Sequence, residues 1–321
     1  MQYPAMGYPR SQIVDSETPG FYHCVSRCVR RAWLCGEDPV SGRSFDHRRD
    51  WIEQRLISLA ESFAVGLFAW AVMSNHTHVV LRVDPKLPES WSDEEVACRW
   101  ARLDRRLEPV EPVEVTQRAR RLLAQPKRVA ELRRRLGSLS WFMRFLNECI
   151  AREANTEDRC TGRFWEGRYK SQALLDEAAV VACMTYVDLN PIRAGISDDL
   201  AGSDFTTIQR RLRAIERDPR AADAPVTAIA GVRSKPGPGL STRAYVDLVD
   251  YTGRQARPDK RGVISSRTER ALDAIRGSPN WWACSANGIE AVFGVAVGVP
   301  KTLKRYAEAT GRCFVRGASV G

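Results

Sequence analysis

The sequence predicts an α+β fold: a ferredoxin-like split βαβ antiparallel sheet with helices on one face, plus a helical insertion and a mostly helical C-terminal extension. Three observations carry this expectation. Two stretches, 45–64 and 138–155, repeat apolar residues at the helical period. Two apolar strand-like runs, 66–74 and 76–84, are separated by almost nothing. Shorter strand-like segments precede the first helix and follow the second. With the charged segment 86–137 set aside, the order reads β-α-β-β-α-β, followed by one more helix.

The first strand is expected around Phe21–Arg27 in "PGFYHCVSRCVRRAW", where the pattern alternates before turning basic. "FDHRRDWIEQRLISLAESFA" follows as an amphipathic helix through Trp51, Leu56, Leu59 and Phe63. "GLFAWAVMS" and "HTHVVLRVD" are the next strands, joined by a tight turn at "SN". Residues 86–137 then become charged helices interrupted by prolines 88, 109, 112 and 126, read as an insertion with a solvated arginine face. "SLSWFMRFLNECIAREAN" restores the amphipathic period, "GRFWEGRYKSQALLD" enters a strand, and "EAAVVACMTYVDLN" is a helix stopped by Pro191. Residues 201–321 form the extension. Its Ala-, Pro- and Gly-rich part, 220–240, reads as a linker, with helices at 267–275, 285–294 and 300–310 beyond it.

The chain has 321 residues and is 44% hydrophobic, enough for a core and too much for general disorder. No apolar run reaches the roughly 20 residues that span a bilayer, and the N-terminus lacks a secretory layout. No membrane association is expected, and the protein reads as unexported. Its nine cysteines are scattered, so reduced buried thiols are expected rather than a disulfide framework. Cys24, Cys28 and Cys35 beside His23 lack the second pair that a zinc site needs. The net charge of +10 and the excess of arginine over lysine fit a phosphate-rich partner.

Chemistry concentrates at "MSNHTHVVLR". Only four histidines occur in the chain, and His76 and His78 are one residue apart. On a strand they share a face while Thr77 points away, so two imidazoles could ligate one divalent ion. In "TYVDLNPIRAG", Tyr186 and Asn190 sit one helical turn apart, offering a phenol and an amide oxygen. Read singly, Tyr186 could be a packing aromatic and Asn190-Pro191 a helix stop. Together with the histidines they suit phosphodiester cleavage by a tyrosine nucleophile, with a metal polarising the phosphate.

The ordered segments "FYHCVSR", "AVMSNHTHVVLRV", "GRFWEGRYKSQALLDE" and "YVDLNPIRAG" resemble the single-tyrosine HUH transposases, most closely the REP-associated tyrosine transposases of bacteria. The resemblance covers residues 18–200, interrupted at 86–137. It implies His76 and His78 as metal ligands, Asn190 as the amide ligand, Tyr186 as nucleophile, and Mg2+ or Mn2+ as cofactor. It implies a single-stranded DNA substrate with a nearby hairpin, and a 5′-phosphotyrosine intermediate with a free 3′-hydroxyl. A cytoplasmic protein, nucleoid-associated when bound to DNA, follows from the same likeness, and a homodimer stays open. Arg163, Arg168 and Lys170 are phosphate-contact candidates, although exposed basic residues need no special role.

Thr77 departs from the hydrophobic residue usual between the family's two histidines. The insertion and the extension have no counterpart in the family's minimal domain. Two other functions stay open: a hairpin-binding protein that no longer cuts, and a phosphodiesterase that uses metal-bound water. "AYVDLVDY" (244–251) echoes the Tyr186 stretch but lacks the Asn-Pro, which leaves Tyr245 and Tyr251 as weak rivals.

Overall fold

The strand and helix order of the sequence is realised with two additions from the C-terminal extension. The computed structural model describes residues 12–29, 33–38, 40–104, 106–197, 199–233, 237–255, 270, 272–274 and 278–317. Strand β1 (Gly20–Arg27) leads to helix α1 (His47–Ser62), then β2 (Val65–Val72) and β3 (His76–Val83). The insertion supplies α2 (Asp93–Ala101), α3 (Pro112–Leu123) and α4 (Pro126–Leu136). Helix α5 (Leu139–Glu157), strand β4 (Lys170–Leu174) and helix α6 (Glu177–Asp188) complete the expected core, and a short turn, α7 (Asn190–Arg193), extends α6. Beyond it come α8 (Thr207–Arg217), β5 (Ala230–Gly231), α9 (Thr242–Gln255), α10 (Pro279–Val292), β6 (Ala296–Val297) and α11 (Pro300–Ala309).

The sheet order is β5-β2-β3-β1-β4-β6. Its four central strands are the antiparallel split βαβ set, and β6 adds a parallel edge strand against β4. Alternation along β1 assigns the two faces. Ser26 hydrogen-bonds Asn147 on α5, and Phe63, which follows α1, packs edge-on against Phe142 of α5 at 5.6 Å. Helices α1 and α5 therefore share one face, as expected. His23, one of the residues alternating with Ser26, meets Tyr186 of α6 on the other face. With both faces covered, all eight residues of β2 are buried, which is why its sequence is an unbroken apolar run. Side chains such as Trp70, Phe63 and Phe142 are fully buried, each worth about 1.5–3 kcal/mol of transfer free energy.

In the insertion, Pro112 and Pro126 open helices rather than break them, since a first-turn residue has no intrahelical N–H partner to lose. Its arginines are largely engaged internally. Arg133 bonds Asp93 at 2.6 Å and the carbonyls of Pro88 and Trp91, while Arg135 stacks over Trp141 at 4.0 Å. Val96, Val129, Leu132 and Leu136 join the main core, so the insertion is packed onto the sheet domain.

The segment 220–240 is not a linker where it is described. Val226, Ala228, Ala230 and Leu240 are buried, and β5 pairs antiparallel with β2. Small residues there permit close approach rather than looseness. Gly231 has φ +78°, and a Cβ on it would stand 2.0 Å from the Val65 carbonyl oxygen. The extension shares the hydrophobic core, through Trp281, Ile289, Val297 and Leu303. Asp176 ties it to α6: one carboxylate oxygen caps the Ala179 N–H at 2.8 Å, and the other accepts from Val299 N–H at 2.9 Å and from the Thr302 hydroxyl. The helices expected at 285–294 and 300–310 correspond to α10 and α11. The one expected at 267–275 lies mostly outside the described residues. No helix among the described residues is long and apolar enough to cross a membrane.

Candidate active site at the histidine pair

Strand register builds the site. In β1–β3 pairing, Val25 faces His78 and Arg27 faces His76; in β1–β4 pairing, His23 faces Gln172 and Val25 faces Lys170. Residues directly opposite in antiparallel strands share a face. His76, His78, His23, Gln172, Arg27 and Lys170 therefore all start from the face that α6 covers. The His76 and His78 rings lie 4.7 Å apart, nearly perpendicular. Tyr186 meets His78 edge-on at 5.7 Å and His23 at 6.3 Å. The structure thus brings together three of the four residues singled out from the sequence.

The fourth, Asn190, lies buried one turn beyond Tyr186, and its Nδ2 has no hydrogen-bond partner among the described residues. Arg163, Arg168 and Lys170 are exposed. Arg163 donates to the Glu166 carbonyl at 3.3 Å, and Lys170 stands two strands from His78 on the same face.

Burial sets the protonation states. His78 is fully buried, and loss of solvent, helped by the neighbouring His23 and His76, holds it well below the usual imidazole range. His76 is depressed to about 4, first by burial and then by the Arg27 charge. His76 Nδ1 lies 2.6 Å from Asn75 Oδ1, which accepts its proton and leaves Nε2 with a lone pair. His78 Nε2 is buried without a hydrogen-bond partner among the described residues. Such an atom normally marks a missing ligand or water.

Two further groups were invisible in the sequence. Tyr186 donates its hydroxyl proton to Glu290 of α10 at 3.2 Å. The same carboxylate oxygen lies 3.7 Å from His78 Nε2, a close approach rather than an ion pair because the imidazole is neutral. Burial, then the Glu290 charge, pushes the Tyr186 phenol well above its ordinary value. Arg193 lies 5.3 Å over the Tyr186 ring and bonds Ala286 and Asn287 on α10, clamping the two helices together; its burial lowers it to about 10. Glu290 is 104 positions from Tyr186, and no periodicity links them. His23 was visible as a residue, in "FYHCVSR", but its partner depends on register.

The rival tyrosines are elsewhere. Tyr245 is fully buried against Asp188 at 2.6 Å, and Tyr251 is buried and bonded by Gln255. No disulfide joins any of the nine cysteines, and burial pushes the Cys28 and Cys35 thiols up to about 12. Among the described residues, no three His, Cys, Asp or Glu side chains are grouped so as to hold a metal. The donors that fit a cation are the free Nε2 lone pairs of His76 and His78. Further ligands would have to come from Asn190 or substrate oxygens.

No family model matches the chain, and no curated protein does. One solved structure, described as a REP-associated tyrosine transposase bound to a REP hairpin, is similar over 71% of this chain and 98% of its own. The identity is 14% and the TM-score 0.39, so the likeness concerns the chain path alone.

Proposed function

We propose that the protein is a metal-dependent single-stranded DNA endonuclease and transposase that cuts and rejoins DNA near hairpins through Tyr186. One observation carries the reading: a buried imidazole nitrogen without a partner stands beside a phenol already hydrogen-bonded to a carboxylate. Tyr186 Oη attacks the phosphorus of the scissile linkage, and its proton passes to Glu290. The Oη–P bond forms as the P–O3′ bond breaks. The product is a 5′-phosphotyrosine, and the departing 3′-oxygen takes up a proton to become a hydroxyl. Attack by a free 3′-hydroxyl reverses the sequence, so strands are rejoined without other energy input. His76, His78 and Asn190 would hold Mg2+ or Mn2+, which when bound supplies positive charge at the phosphate and favours the phenolate. Arg163, Arg168 and Lys170 contact the DNA backbone, consistent with the net charge of +10.

The test is an adduct assay on labelled single-stranded DNA carrying hairpins, run on denaturing gels with and without Mn2+. A shifted band that needs Mn2+ and disappears in Tyr186→Phe is expected. Cutting without an adduct, unchanged in Tyr186→Phe, would instead indicate water attack. Binding without cutting would reduce the protein to a hairpin binder.

A further inference from the structure

The hydrogen bonds behind His78 form a directed chain that begins at main-chain carbonyls. Gln172 Nε2 lies 2.8 Å from the Gly294 carbonyl oxygen and 3.4 Å from that of Phe293, just beyond α10. Carbonyls only accept, so the amide nitrogen must face them and Oε1 must face the other way. Oε1 is 2.9 Å from His23 Nδ1, which must therefore carry a proton and donate it. A neutral His23 then has no proton on Nε2. That atom lies 2.9 Å from His78 Nδ1, so His78 must supply the hydrogen between them. With the proton on Nδ1, His78 Nε2 is left as a bare lone pair aimed at the side of the site where Glu290 stands. Both rings are essentially buried, and nothing else bonds that nitrogen.

We infer that Gln172 and His23 are positioning residues: together with the Phe293 and Gly294 carbonyls they fix the tautomer of His78, presenting its Nε2 lone pair before any ligand arrives. Histidines that bind metals commonly have their second nitrogen held in this way by an outer partner, and losing that partner weakens binding by about 10- to 100-fold. Here the partner is another histidine, itself set by an amide on a third strand. The extension thus acts on the site twice, through the Glu290 carboxylate and through two carbonyls two strands away from His78. The consequence for cation binding rests on the proposed function; the tautomer does not.

The full chain, labelled with 15N at histidine and stripped of metal, tests the tautomer by long-range 1H–15N spectra near pH 7.5. His78 is expected to show a protonated Nδ1 and an unprotonated Nε2, and His23 likewise. In His23→Ala and in Gln172→Ala, the His78 signals are expected to move toward a mixture of tautomers. Manganese alone, followed by electron paramagnetic resonance, is expected to bind each variant about 10- to 100-fold more weakly than wild type. Thermal melts identify a variant that fails to fold, and the wild-type spectrum decides the tautomer without any variant. A proton on His78 Nε2 in the wild type overturns the inference, as do His78 signals unchanged in both folded variants, whereas unchanged manganese affinity overturns its consequence for cation binding. If the tautomers are as stated but no tyrosine adduct forms on DNA, the functional reading fails and the relay stands. If Tyr186 adducts form while Nε2 is protonated in the free protein, the relay fails and the function stands.

Discussion

Helix α6 carries two polar clusters less than one turn apart, one buried and one partly exposed, and they end differently. At Asp188, one carboxylate oxygen accepts from the Tyr245 hydroxyl at 2.6 Å, while the other accepts from the Thr207 hydroxyl at 2.7 Å and the Ile208 N–H at 3.1 Å. At Tyr186, the phenol has a carboxylate partner but the adjoining His78 keeps a nitrogen unbonded. Both clusters join the core to the extension. The first is saturated and works as a fastening between α6, α8 and α9. The second leaves the buried His78 Nε2 without a partner beside a partly exposed Glu290, an incompleteness that costs stability and marks a candidate ligand position. The difference separates a saturated polar cluster from one with a vacant hydrogen-bonding position without reference to any relative.

The largest expected effect falls on the incomplete cluster. Tyr186→Phe removes the proposed nucleophile, and adduct formation on hairpin DNA should drop by roughly 10³-fold or more, with the fold kept, as read by gel assay and circular dichroism. Glu290→Gln retains the hydrogen-bond geometry but loses the base, so single-turnover cleavage should slow by about 10²-fold or more. A cleavage rate equal to wild type in Glu290→Gln would remove Glu290 from the mechanism.

At the saturated cluster the expected effect is on stability alone. Tyr245→Phe deletes one donor and leaves a buried carboxylate underbonded, at a cost of about 1–3 kcal/mol. A urea titration should show an earlier midpoint, while manganese affinity should not change. Equal loss of both quantities would mean the two clusters are one unit, erasing the contrast.

The smallest effect is pH-dependent. His76 is held near 4, and His23 and His78 are also lowered, whereas an unfolded histidine titrates near 6.5. Between those values the unfolded chain binds more protons, so stability present above about pH 6.5 is lost as the pH falls toward 4. Asp188, raised by burial, pulls in the opposite direction. Melting temperatures at pH 7.5, 6 and 5 should fall in that order, and the decline should shrink in His76→Asn. An unchanged melting temperature across this range would contradict neutral buried imidazoles.

Strand and helix periodicity made the central fold legible. Each core element of the split βαβ appears within a few residues of its expected bounds, because each buries one face, or both in β2, and its apolar pattern records that. The pairing of His76 and His78 was legible for the same reason, as was Tyr186, one turn before the Asn-Pro that ends its helix. The segment 220–240 was misread because alanine, proline and glycine signal a loose linker by composition. Close packing under the β2 edge demands the same small residues, and only the contact distinguishes the two. Pro112 and Pro126 of the insertion likewise mark helix starts, since their position in the first turn cannot be seen until the helix is placed.

By itself, then, the sequence determined which side chains are chemically able to act and which local element holds each, because period and turn chemistry are short-range. Tertiary structure alone decided that His23 backs His78, that Gln172 sets His23, and that Glu290 meets Tyr186 from 104 residues away. Strand register and the docking of the extension depend on long-range packing, and no local pattern encodes which distant partner fills a buried hydrogen bond.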